Sequence, residues 1–180
     1  MSYARFGLMI LTSTVVMFGL MYLNTYEIGH VAWSQTRAWM ALMMGGVMAV
    51  IMMGFMWGMY DKKGRNRAIM AAAVVVAAGA LWFVRSQKTV EDVSYMKAMI
   101  PHHSIAVLTS SRAHIRDPRV RELADGIIKA QMQEIAEMRA LIADMKANPL
   151  PEGAPGLPAL RPDDVAVNEA VEKALQPPSQ

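Results

Sequence analysis

The stretch AIMAAAVVVAAGALWFV, Ala68–Val84, decides how this chain divides between membrane and water. It carries no charge but is short for a helix that must cross a hydrocarbon core. Flanking Arg67 and Arg85 lengthen its reach, because each can send its charged head to an interface while its stem stays in the apolar zone. Counted as a span, it is the third. Phe6–Tyr26 and Ala38–Tyr60 also lack Asp, Glu, Lys and Arg, and both are long enough to cross as helices. The first lacks a convincing small-residue cleavage site before Glu27 and reads as a retained helix, not a signal peptide.

Charge sets the orientation of these spans. Asp61–Arg67 holds Lys62, Lys63, Arg65 and Arg67 against one Asp, whereas Glu27–Arg37 holds a single Arg. The positive-inside bias puts the basic loop in the cytoplasm. Three crossings then leave the N-terminus cytoplasmic and everything after Val84 outside, which in a bacterial inner membrane is the periplasm. The net charge of +3 does not indicate a nucleic-acid partner. From Arg85 onward there are 12 Lys plus Arg against 13 Asp plus Glu, so the positive excess lies in the membrane half, where it orients helices. There is no cysteine, hence no disulfide, thiolate site or c-type haem attachment.

The remainder reads as helix, which makes the fold class all-α: three transmembrane helices, then an extracytoplasmic helical hairpin and a Pro-rich tail. Thr89 is placed to cap a helix running to about His114, with Glu91 and Asp92 in its first turn. Arg116-Asp117-Pro118 breaks it, since Asp caps well and Pro is favoured at the first helical position. From Pro118 to about Ala147, apolar residues including Val120, Ala124, Ile127, Ile135, Met138 and Ile142 recur with a helical period. Asn148-Pro149 ends this helix, and five prolines between Pro149 and Pro162 mark a linker. Asp163–Leu175 is a possible short helix. The domain boundaries follow: 1–85 membrane, 86–148 helical, 149–180 linker and tail. A lone hairpin buries little apolar surface, so a homodimer forming a four-helix bundle is expected.

Met96-Lys97-Ala98-Met99-Ile100-Pro101-His102-His103 sets two thioethers beside two of the chain's four imidazoles. Soft sulfur with borderline nitrogen is a copper-like donor set. Met99 and His103 are one helical turn apart, and Met96 is two turns below His103; His102 sits about 100° to one side of it. Pro101 removes a backbone hydrogen bond just before the pair and is expected to kink the helix. On the next helix Gln131, Glu134, Met138 and Met145 share a face, so Glu134 is placed to orient an imidazole and Met138 to add sulfur. The plain alternative is that each Met fills an irregular gap in a core. Adjacent histidines resist that reading, because two neighbouring helix positions cannot both face one core.

These residues, with Ala106, Asp117-Pro118-Arg119-Val120, Leu123-Ala124, Ile128, Gln131, Glu134-Ile135 and Met138, resemble the domain of unknown function 305 family over about residues 89–147. The resemblance implies a ferritin-like helical bundle that binds copper outside the cytoplasm, with His102, His103, Met99 and Met138 as ligands. One departure stands out. Where many members carry Met six positions after the second histidine, this chain has Thr109.

The second span adds Met40, Met44, Met48, Met52 and Met56 as a slowly winding ribbon. It is either a thioether conduit for Cu(I) or lipid-compatible packing, with Gly45, Gly46, Gly54 and Gly58 as close-packing points. The absence of ionisable residues within the spans favours packing. The expected function is a membrane-anchored periplasmic copper-binding protein that buffers copper, confers resistance or hands copper over, without catalysis. Its partners are the copper ion, membrane lipid and a second copy. A structural or assembly module without metal is the alternative. A ferritin-like di-iron enzyme is disfavoured, since such centres use Glu-x-x-His pairs and this chain has none.

Overall fold

A computed structural model describes residues 2–151, 153–162 and 171. Among them every regular element is helical: α1 (Tyr3–Leu20), α2 (Gln35–Phe55), α3 (Lys63–Ser86), α4 (Asp92–Arg112) and α5 (Pro118–Ala147), with short 3-10 turns at Ile28–His30 and Trp57–Met59. The possible helix at Asp163–Leu175 lies outside the described residues, Val171 excepted. The chain forms two compact units, Met1–Ile105 and Ala106–Gln180.

Helices α1, α2 and α3 are long and apolar enough to cross a membrane, and the protein is a membrane protein. Their outer faces leave Leu8, Leu11, Val15, Val75 and Phe55 largely exposed. Such a surface suits lipid tails and would be an aggregation hazard in water. All three helices begin earlier than the loss of charge predicts, and α1 and α2 end earlier, at Leu20 instead of Tyr26 and at Phe55 instead of Tyr60. Capping accounts for the starts of α1 and α2 and for the end of α1, whereas α3 starts at Lys63 without a side-chain cap. Arg37 is nearly buried, its guanidinium donating to the Met21 carbonyl at the end of α1 and lying 4.5 Å over the Tyr22 ring, so a charged side chain satisfies a helix end. Ser34 Oγ accepts from Arg37 N at 3.2 Å and caps α2. Extension back to Lys63 gives α3 24 residues, and the added turn carries Lys63, Arg65 and Arg67, so the uncharged stretch stays at Ala68–Val84 with its charged flanks in the interface.

Helix α2 packs against both α1 and α3. Phe6, Ala49, Met53, Met56, Tyr60 and Ala73 form the core of this unit. Met53 and Met56 therefore serve as packing residues. Two of the four glycines named as packing points fit that role. A Cβ on Gly46 falls 2.9 Å from the Ala73 carbonyl oxygen, and one on Gly45 falls 2.3 Å from Thr14 Oγ1. Gly54 and Gly58 face open space, with nothing within 4 Å.

Polar contacts fix which ends meet. Tyr3 donates its hydroxyl to Asn66 Oδ1 at 2.7 Å, joining the start of α1 to the start of α3. At the other end, Tyr26 N donates to Ser104 Oγ at 2.8 Å, joining the loop after α1 to α4. This pairing of ends is what three successive crossings require.

In the second unit Asp117 caps α5, accepting from Arg119 N at 2.9 Å, and Pro118 opens the helix. Arg121 Nη2 donates to the Ser110 carbonyl at 2.9 Å and pairs with Asp125 at 2.7 Å, tying the last turns of α4 to the first of α5. Hydrogen bonds from Arg119 hold the Asp117 carboxyl down from 3.8 to about 2. A folded-state value below the unfolded one means that the contribution is complete above about pH 4 and is lost as pH falls toward 2. Asp117→Ala is expected to lower the melting temperature at pH 7 and to remove that part of the acid-side decline, as followed by circular dichroism.

Candidate metal site

Helix α4 runs through Pro101 as one helix, from Asp92 to Arg112. Thr89 is not its cap: the Thr89 hydroxyl accepts from Trp39 Nε1 at 3.3 Å, and the helix starts three residues later. It also stops before His114, which is exposed in the following turn. On α4 His102 is exposed, while His103 and Met99 are half-buried. The two imidazole centroids lie 6.0 Å apart with planes tilted by 59°. An ion held by both rings at about 2 Å puts their centroids at most about 6.3 Å apart, so a shared ion would need a nitrogen of each ring turned toward it in a nearly linear arrangement. Among the described residues no three His, Cys, Asp or Glu side chains come together. A metal held on this helix would have to draw on two imidazoles and thioether sulfur, and such a donor set would suit copper in its softer state.

The other expected donors are placed differently. Met96 is 7% exposed and Met138 is 8% exposed, as core methionines are. Met138 lies on α5 in the second unit, as do Gln131 and Glu134, whose side chains bond at 3.1 Å. Thr109 is exposed, its hydroxyl turned back onto the Ala106 carbonyl at 3.2 Å.

Sequence reasoning overlooked the fourth histidine. His30 is 1% exposed, with Nε2 2.8 Å from Glu27 Oε1 and Nδ1 2.9 Å from Ser104 Oγ. Because Tyr26 N donates into Ser104, all these groups are satisfied when the Ser104 hydroxyl donates to Nδ1 and Nε2–H donates to Glu27. A Ser, His and Glu in a chain suggest an activated nucleophile. Ser104 is 0% exposed, so no substrate reaches it, and the chain of bonds acts as a latch that holds α4 beside the pair His102-His103. The sign available in sequence was parity: a histidine between the first two spans lies on the same side of the membrane as whatever follows the third.

The sequence pattern of Domain of unknown function (DUF305) matches residues 92–174, beginning at the first residue of α4. A protein of Acanthamoeba polyphaga mimivirus, Uncharacterized protein L153, is 30% identical over 145 residues, covering 77% of this chain and 93% of that protein. The chain belongs to the DUF305 family. The likeness to the viral protein extends beyond the DUF305 segment into the membrane helices, since 77% of this chain is more than everything after Arg85. No solved structure matches. The DUF305 match takes in His102 and His103 but not His30 or Glu27, so the latch joins residues inside the family segment to residues outside it.

Proposed function

We propose that this DUF305 protein is a membrane-anchored copper-binding protein whose site faces the periplasm of a bacterial inner membrane and buffers copper or passes it on. The observation that carries this reading is the exposed His102 beside half-buried His103, one turn from Met99, on a helix outside the three membrane spans. Copper is cargo here, taken from and returned to partners, and no step of catalysis is assigned to it. His102 and His103 supply nitrogen and Met99 supplies sulfur. Met96 is buried within the described fold, so it joins only if α4 repacks. Met138, with Glu134 behind it, belongs to a fuller donor set; a homodimer that brings further α5 faces into play is part of this proposal.

The test is a Cu(I) competition titration against a chromophoric chelator on the full chain in detergent. The full chain is required because a fragment starting at Ser86 removes His30 and Glu27, which hold Ser104. His102→Ala/His103→Ala is expected to weaken binding at least a hundredfold with helix content unchanged. Equal binding by parent and variant would leave an assembly module without metal as the better account. Oxidation of Met99 to the sulfoxide is expected to weaken Cu(I) binding as well, since it replaces a soft donor with a polar one.

A further inference from the structure

A second site lies at the opposite, basic end of the membrane unit. Ser2, Tyr3, Tyr60, Asp61, Lys62 and Arg65 line most of a cavity of about 410 Å³ between the start of α1 and the loop joining α2 to α3. That volume falls within the roughly 300–1,000 Å³ usual for small-molecule sites. We propose that it holds the phosphodiester headgroup of an anionic phospholipid.

The charges in the cavity are arranged for one negative group. The Arg65 guanidinium lies 4.9 Å over the Tyr3 ring, which fixes its plane and leaves its N–H edge for a bidentate phosphate contact. Lys63 is committed elsewhere, donating to the Trp57 and Tyr60 carbonyls at 2.7 and 2.9 Å. Lys62 is exposed and is in none of the ion pairs found among the described residues. Among the described residues Asp61 is the one carboxylate on the wall. Two cations against one carboxylate suit a monoanionic diester better than a dianionic monoester.

Two further observations point to a ligand, and to a lipid in particular. Tyr60 is 2% exposed, lines the cavity, and its hydroxyl makes no hydrogen bond among the described residues, although a buried hydroxyl ordinarily finds a partner. Ala4, at the cavity wall, begins a stripe that continues through Leu8, Leu11 and Val15, all exposed. Those positions share one face of α1 and offer an acyl chain a path into the bilayer from the headgroup. A free phosphate has no use for that path.

The test uses the purified, delipidated full chain in detergent, titrated with phosphatidylglycerol, phosphatidylcholine or inorganic phosphate. Melting temperature and native mass spectrometry are the readouts. Phosphatidylglycerol is expected to raise the melting temperature by several degrees more than phosphatidylcholine and to appear as one bound lipid, while inorganic phosphate does neither. Lys62→Gln/Arg65→Gln is expected to lose that increment, and Arg116→Gln, in the second unit, to keep it. Because Arg65 also packs on Tyr3, Lys62→Gln alone provides a second variant, expected to weaken binding about tenfold with the fold intact. An equal rise with phosphatidylcholine, an increment that survives in the double variant, or an equal rise with phosphate would each overturn the proposal.

Discussion

Gly46→Ala is expected to destabilise the membrane unit by about 1–3 kcal/mol, as overpacking does. The added Cβ meets the Ala73 carbonyl oxygen at 2.9 Å, Ala77 Cβ at 3.0 Å and Ala77 N at 3.1 Å. Two of these atoms are backbone and cannot turn aside, so α2 and α3 must separate. Separation weakens the dispersion contacts that hold membrane helices together, where no hydrophobic drive compensates. Gly54→Ala provides a control of opposite sign. It lies on the same helix with nothing within 4 Å, so replacing glycine there favours helix by about 0.5–1 kcal/mol. Thermal unfolding in one detergent, followed by circular dichroism, checks both; equal shifts for the two variants would mean that α2 and α3 do not approach at Gly46.

Ser104→Ala is expected to cost about 1–3 kcal/mol, the usual loss when a buried polar group is deprived of a hydrogen bond. It removes the hydroxyl met by both the buried His30 Nδ1 and the part-buried Tyr26 N–H, each within 3 Å of Ser104 Oγ. The effect should not stop at stability. Ser104 follows His103 directly, so freeing it loosens the turn that carries the imidazole pair. Cu(I) affinity is expected to fall several-fold in Ser104→Ala although no donor has been removed. His30→Ala should do the same, while Ser104→Thr keeps the hydroxyl and separates hydrogen bonding from bulk. Unchanged melting and unchanged affinity in Ser104→Ala would remove the latch from the account.

Much of this architecture can be read from the residues, and the errors share a cause. Asp117-Pro118 announces the start of α5, and the structure places both as expected. Hydropathy marks the three apolar runs but not their ends. Charge does not bound a span here, since Arg37 and Lys63 sit inside helices where each finds a carbonyl or a ring to meet. Thr89, followed by Glu91 and Asp92, has the sequence of a cap. Its hydroxyl is engaged by Trp39, fifty residues away in sequence. The candidate site was legible where it is local: His102, His103 and Met99 lie on one helix and fall where helical spacing puts them. His30 was not legible from spacing, since its contact with Ser104 spans 74 residues and depends on three crossings returning the chain to one side.

The helices of the membrane unit are unequal in length, but their apolar lengths match. At 1.5 Å per residue the 18 residues of α1 span about 27 Å, and the uncharged stretch of α3, Ala68–Val84, about 26 Å. The excess of α3 is its basic start, Lys63–Arg67, which belongs in the headgroup layer. Both stretches fall short of a roughly 30 Å hydrocarbon core, a deficit met by local thinning of the bilayer or by snorkelling of the flanking arginines. The thickness of the surrounding bilayer therefore sets the load on α1 and, through the loop at Tyr26, on the helix that carries the histidine pair.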